Sequence, residues 1–164
     1  MPKQTLSILV ENSAGVLSKV SGLFSRRAFN IESLAVGITL DPNYSRITIV
    51  VDGDEATVVQ MVKQLEKLVA VVKVINIPSD NAVCRELALL KVKATPTTRS
   101  EIIQIVDIFK AKIIDVSAST LSIEITGIQD KIEAFIGMLM EFGIEEIART
   151  GAIALERGKN TIYS

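Results

Sequence analysis

Apolar and polar residues in the first half of the chain follow two alternating periods. Leu6, Ile8 and Val10 recur at every second position, which is typical of a strand with one buried face. Val16, Val20 and Phe24 recur at helical spacing and predict an amphipathic helix. Continued to residue 77, these periods predict the order β-α-β-β-α-β. Predicted strands cover 5–11, 31–39 and 71–77, and the third of the four strands has Ile47, Ile49 and Val51 on one face. A second helix carries Val58, Met61, Val62, Leu65 and Val69.

The same order of elements returns after the polar, proline-containing segment 78–81. Predicted strands cover 85–94, 112–117 and 120–126, and a closing strand lies within 144–155. Two helices are marked by Ile102, Ile105, Val106 and Phe109 and by Ile132, Phe135, Ile136, Leu139 and Met140. We therefore predict an α+β protein of two ferredoxin-like βαββαβ domains, 1–77 and 78–164.

Several strands also have apolar residues on their second face. Leu9, Val50 and Leu90 are the examples, and an exposed apolar sheet face of that size would favour association. The pattern predicts a homodimer in which sheets or edges pair between chains.

Composition and charge exclude several classes of partner. No apolar run approaches the ~20 residues of a membrane-spanning helix, and residues 1–4 do not begin a signal peptide. The chain has 18 basic and 19 acidic residues, mixed along its length, so neither a nucleic acid nor a membrane is expected as partner. The single Cys84 agrees with a reducing compartment, and we expect a cytoplasmic protein.

The residues that usually carry catalysis or bind metal are scarce. There is no His, one Cys cannot form a CxxC motif, and no glycine-rich phosphate loop occurs. The acidic pair Asp54-Glu55 fits the start of a helix, and Glu145-Glu146 would point to opposite faces of a strand. The sequence predicts no catalytic residue and no metal site.

Segment 11–31 contains the best candidate for a binding site. A strand ends there, a turn passes through Gly15, and a helix begins, so unpaired N–H groups at its positive end could receive a carboxylate. Asn12 offers both an amide donor and an acceptor, and Asn30 lies beyond the helix's other end. An ordinary helix start with a capping side chain is the alternative interpretation. The residues alone leave both open.

Six motifs support a more specific assignment. The segment ENSAGVLSKVSGLFSRRAFNIESL (11–34) resembles the opening of acetolactate (acetohydroxyacid) synthase small subunits, which are regulatory ACT-domain proteins. The resemblance runs from about residue 4 to residue 158. The other similar motifs are SRITIVVDGDE (45–55), QLEKLVAVVKV (64–74), RELALLKV (85–92), FKAKIIDV (109–116) and ARTGAIALERG (148–158).

The resemblance implies that 1–77 is an ACT domain that binds valine, or a related branched-chain amino acid, where two such domains meet. Asn12, Gly15 and Val16 of one chain would hold the effector, together with Asn30 and Ile31 of the partner chain. The resemblance further implies a large catalytic subunit, which this chain activates and makes sensitive to valine in branched-chain amino-acid biosynthesis. No cofactor is implied here; thiamine diphosphate, Mg and FAD are expected in the catalytic partner.

Two positions depart from the family pattern. Ala14 stands where ACT domains often have Pro, and Ala28 stands where family members usually have Gly. Two alternative functions remain: an amino-acid-binding ACT regulator without a catalytic partner, and a small ferredoxin-like enzyme that relies on carboxylates.

Overall fold

The computed structural model describes residues 3–27 and 29–164, so Ala28 lies outside the described residues. The elements confirm the predicted α+β class and both βαββαβ orders. In the first order they are β1 (Lys3–Glu11), α1 (Val16–Arg26), β2 (Ile31–Ile38), β3 (Tyr44–Asp52), α2 (Glu55–Glu66) and β4 (Val71–Ile77). In the second they are β5 (Ala82–Lys93), α3 (Arg99–Ile108), β6 (Lys112–Val116), β7 (Thr120–Gly127), α4 (Gln129–Leu139) and β8 (Ile144–Arg149), followed by β9 (Ile153–Glu156).

The first sheet is antiparallel and has the strand order β2-β3-β1-β4. The register places Ile8 opposite Ile47 of β3 and Val74 of β4, on the face that packs against the helices. Val20 and Phe24 of α1 are fully buried in this core, as their helical spacing predicts. β2 is the outermost strand, and among residues 3–27 and 29–164 its other edge has no neighbouring strand.

The second sheet repeats this arrangement with the path β6-β7-β5-β8. Leu90 of β5 lies opposite Ile123 of β7 and is buried against α3 and α4. The prediction that Leu90 faces the second side was therefore wrong. Leu89 is the β5 leucine on that side, because Ala88, Leu90 and Val92 together define the core face.

Two compact units contain the described residues. The first includes those within Met1–Val83 and Ala152–Ser164, and the second is Cys84–Gly151. The predicted ranges, 1–77 and 78–164, differ from these units in the placement of 78–83 and 152–164. The C-terminal segment thus belongs to the first unit although it follows the second in sequence.

This C-terminal segment lies on the second face of the first sheet. The backbone N–H of Ala152 donates to Ser33 Oγ at 2.7 Å, and Arg46 Nη2 donates to the Ala154 carbonyl at 3.0 Å. Arg46 is opposite Leu9 in the register, and Leu9 is only 4% exposed. Burial of Leu9 therefore does not require a second chain, and the predicted homodimer has to be argued from another surface.

The two ends of α2 are determined by local contacts that the apolar period does not indicate. Asp54 Oδ1 accepts a hydrogen bond from the Thr57 N–H at 2.7 Å, an N-cap that begins the helix. The helix ends at Glu66, so Val69 lies beyond it and is exposed; its predicted place on the helix was wrong. Among the described residues, no helix is long and apolar enough to span a membrane.

Candidate functional site

Within the described residues, no side chain caps the free N–H groups at the N-terminus of α1. Gly15 occupies the N-cap position with φ 82°, and no side-chain hydrogen bond caps the helix. The first turn contains no acidic residue, so its positive end is not neutralised. A Cβ built on Gly15 would meet nothing within 4 Å, which leaves open space beside the helix start. These features suit an incoming carboxylate.

The positive φ explains why this position holds glycine. Non-glycine residues adopt the left-handed region at a cost of about 1–2 kcal/mol. The Gly15 carbonyl accepts the first helical bond from Lys19 N–H at 3.1 Å, so the turn leads directly into α1. The sequence indicated a glycine beside the helix start, but the left-handed conformation is a structural finding.

Asn12 does not cap α1, contrary to the interpretation that its turn supplies the N-cap. Its side-chain Nδ2 donates to the Pro42 carbonyl at 2.9 Å, and its backbone N–H donates to the Asn43 carbonyl at 2.8 Å. Both bonds join the β1–α1 loop to the β2–β3 turn. Asn12 is exposed, and it fixes the loop that precedes Gly15.

The structure brings three of the five predicted site residues together and places the other two elsewhere. Asn12, Gly15 and Val16 adjoin one another, and the Val16 side chain is buried in the core below the helix start. Asn30 and Ile31 follow α1, whose 11 residues correspond to about 16 Å of helix. One chain therefore holds the two groups at opposite ends of its sheet.

An exposed apolar edge lies at the same end of the sheet as Gly15. Val36 pairs with Ile47 and so faces the helical side, yet Val36 is half exposed because β2 is the outermost strand. Ile38 is 67% exposed, and Leu40 just beyond the strand is fully exposed. The alternation of β2 was predicted, but its position at the edge of the sheet was not. No local signal in the sequence identifies it.

The charged residues that cluster away from the start of α1 form ion pairs and hydrogen bonds with one another. Arg149 bonds the buried Glu86 at 2.5 Å and the exposed Glu133 at 2.8 Å, and the Glu86 bond raises the pKa of Arg149. Lys3 pairs with Glu32 at 2.8 Å and lowers the pKa of that carboxyl, while hydrogen bonding to Glu32 raises the pKa of Asp52. Within the part of the chain that the structure describes, no group of three or more potential ligands could hold a metal ion.

A ferredoxin-like sheet with an open edge strand beside an uncapped helix N-terminus defines the first unit as an ACT-type domain. Residues 6–73 match the family described as "AHAS small subunit-like ACT domain", and residues 85–158 match "Small subunit of acetolactate synthase". The chain belongs to the family of acetolactate synthase small subunits.

Relatives at high identity support this assignment along nearly the whole chain. The acetolactate synthase small subunit of Mycolicibacterium smegmatis is 50% identical over 161 residues, which cover 98% of this chain and 95% of the relative. A probable small subunit from Archaeoglobus fulgidus is 51% identical, with 95% and 98% covered. The crystal structure of the small subunit from Thermotoga maritima has a TM-score of 0.91 at 48% identity, with 98% of this chain and 100% of that chain covered.

Proposed function

We propose that this chain is a regulatory subunit that binds a large catalytic acetolactate synthase chain, activates it and makes it sensitive to valine. The observation that carries the proposal is the uncapped start of α1 at Gly15 beside the open edge of β2. This chain supplies binding groups only. The condensation chemistry, with thiamine diphosphate, Mg and FAD, belongs to the catalytic partner.

The carboxylate of valine would accept hydrogen bonds from the first N–H groups of α1. These N–H groups have no acceptor within the helix, so a ligand oxygen can bond to them without disturbing it. The positive end of the helix adds a favourable interaction with the negative charge. A ligand held by the backbone needs no charged side chain, which agrees with the absence of acidic and basic residues from Gly15 to Ser18.

A second chain would complete the site through β2. Two β2 strands that pair antiparallel across a two-fold axis place the start of one strand beside the end of the other. The partner's Asn30 and Ile31 would then lie near Ile38, at the Gly15 end of the sheet. The same pairing would cover Ile38 and Leu40, whose exposure is otherwise unfavourable.

Burial of the isopropyl group would select valine over smaller amino acids. Full burial of a valine side chain contributes about 1.5–3 kcal/mol. An effector that contacts both chains changes how the two ACT domains are held together. It could thereby alter the activity of a bound catalytic chain, with a coupling of about 1–3 kcal/mol.

The first experiment measures pyruvate condensation by the cognate catalytic chain, with and without this protein, across a valine titration. Activation that valine then suppresses is the expected result. No change in rate or in valine response would contradict the proposal and would leave an amino-acid-binding ACT protein without this catalytic partner.

Two variants test the site itself. The variants are Gly15→Asp and Gly15→Asn, because Asp and Asn adopt the left-handed backbone more readily than other non-glycine residues. Either side chain would fill the open space at the helix start. Both should abolish inhibition and preserve activation, and Gly15→Asp should act more strongly because its charge competes for the helix end. Gly158, with φ 79° and nothing within 4 Å of its Cβ, provides the matched controls Gly158→Asp and Gly158→Asn. Unchanged inhibition in both Gly15 variants would refute this site.

Asn12→Ala gives an independent check, because it removes the bond to Pro42 and leaves the helix start intact. We expect weaker inhibition, since the loop before Gly15 loses its fixed position, together with nearly normal activation.

A further inference from the structure

The C-terminal segment, residues 152–164, is bound to the same strand that leads away from the proposed effector site. At β2 the backbone N–H of Ala152 donates to Ser33 Oγ at 2.7 Å. At the neighbouring strand β3, Arg46 Nη2 donates to the Ala154 carbonyl at 3.0 Å. The C-terminal segment therefore meets the second face of the first sheet at its edge strand and continues onto the next strand.

The C-terminal segment is attached to this face by few contacts. Two of its side chains, Ala154 and Ile162, are buried, and the others are exposed or half-buried. On the same face, Ser7 Oγ and Arg46 Nε are buried without a hydrogen-bond partner within the described residues. Buried polar groups without partners cost free energy. Each hydrogen bond that the segment does make therefore has a measurable share in its attachment.

Ser33 follows closely on the residues that are proposed to contact the effector. Asn30 and Ile31 immediately precede the segment of β2 that contains it, and a bulge in the β2–β3 pairing falls between Ile31 and Ser33. Ser33 lies opposite Val50, which is buried on the second face of the sheet. A bulge interrupts the ladder of backbone hydrogen bonds. The bond from Ala152 therefore helps to fix β2 where the strand pairing is irregular.

We propose that Ser33 is a positioning residue that couples effector binding to docking of the C-terminal segment. The proposal rests on the valine site of the proposed function and adds a residue that does not touch the ligand. An effector held between two chains fixes the start of β2, and this places Ser33 Oγ where Ala152 can donate to it. A docked segment in turn raises the affinity for valine by the same factor. The segment follows directly on Gly151, the last residue of the second unit, so the state of β2 reaches that unit through the chain itself.

Hydrogen–deuterium exchange of the full chain, measured by mass spectrometry with and without valine, tests the coupling. Peptides from 11–31 report on the effector site, and peptides from 152–164 report on the C-terminal segment. In the parent, valine should slow exchange in both, by about two- to tenfold in the C-terminal segment, because one hydrogen bond mediates the effect. In Ser33→Ala, valine should slow exchange at 11–31 and leave 152–164 unchanged. The affinity of Ser33→Ala for valine, measured by calorimetry, should fall by about two- to tenfold.

Ser33→Thr and Ser122→Ala are the matched controls. Threonine keeps a hydroxyl that can accept from Ala152 and is favoured in strands, so valine should again slow exchange at 152–164. Ser122 is a half-buried serine of β7 in the second sheet, and its replacement tests for a general effect of removing a strand hydroxyl. If Ser33 had a structural role alone, Ser33→Ala would loosen the C-terminal segment while valine still slowed its exchange as in the parent. That result would overturn the proposal.

The same measurement separates this coupling from the function on which it rests. If valine slows exchange at 11–31 in the parent and leaves 152–164 unchanged, the effector site stands and the coupling is refuted. If valine slows exchange in neither region of the parent, the proposed valine site fails and the coupling fails with it.

Discussion

The bond between Glu86 and Arg149 supports a quantitative prediction about the second unit. The Glu86 side chain is 6% exposed, and its carboxylate bonds Arg149 Nε at 2.5 Å between β5 and β8. Arg149→Met keeps most of the aliphatic stem and removes the guanidinium. The variant would leave a buried carboxylate without its cationic partner.

The size of the effect follows from burial. Breaking a fully buried ion pair costs about 3–5 kcal/mol of unfolding free energy. Arg149 is 30% exposed, so water can partly replace the guanidinium, and we expect about 2–3 kcal/mol. The second partner, Glu133, is exposed, and Glu133→Gln should cost less than about 1 kcal/mol.

Urea unfolding followed by far-UV circular dichroism measures the loss. Both tyrosines, Tyr44 and Tyr163, belong to the first unit, so tyrosine fluorescence provides an internal reference for that unit. The double variant Glu86→Gln/Arg149→Met should recover part of the loss, because the uncompensated charge is gone. A cost for Arg149→Met no larger than that of Glu133→Gln, or strict additivity in the double variant, would refute the reasoning.

Two further predictions concern the first unit. Hydrogen bonds from Thr57 lower the pKa of Asp54, so its stabilising effect is present above the unfolded pKa of about 3.9 and is lost as pH falls through the lowered folded value. Asp54→Asn keeps a good cap without the charge. The melting temperature of the variant should therefore lie below that of the parent at pH 7, and the two melting temperatures should converge at low pH. A difference that stays constant with pH would contradict this. Gly53→Ala should lower the free energy of unfolding in urea by about 1–3 kcal/mol, because the new Cβ would lie 3.0 Å from the Phe29 ring. Gly37→Ala, whose Cβ would meet nothing within 4 Å, is the control for a general effect of replacing glycine.

Most elements could be predicted from the sequence because the apolar residues of one face recur without interruption. Leu6, Ile8 and Val10 in β1 and Val16, Val20 and Phe24 in α1 are examples, and all six are buried. The prediction of Leu90 was wrong because β5 has four consecutive apolar residues, 87–90, so either phase of a period of two fits. The placement of Val69 on α2 was wrong for a related reason, because Val69 continues the apolar helical period after the helix has ended.

The parts that could not be predicted depend on contacts between residues distant in sequence. Residues 152–164 join the first unit through bonds such as Ala152 to Ser33, which are separated by 119 positions. The four-residue strand β9 has too few positions for its period to indicate a partner. The helix start at Gly15 was identified as a candidate site, but the bonds from Asn12 to the Pro42–Asn43 turn required the three-dimensional arrangement.

The placement of Gly15 and Asn30 has a thermodynamic consequence for the proposed regulation. The 11 residues of α1, about 16 Å of helix, lie between them in one chain, so a small amino acid can touch both only where two chains meet. Effector binding and chain association are then linked. If dimerisation raises the affinity for valine by some factor, valine raises the dimerisation affinity by the same factor. The apparent affinity for valine should therefore rise with protein concentration until the dimer is complete. A site formed by the side chains of one chain would show no such dependence. Because the proposed site lies between two chains, its response to valine would involve both subunits, although few charged residues bind the ligand.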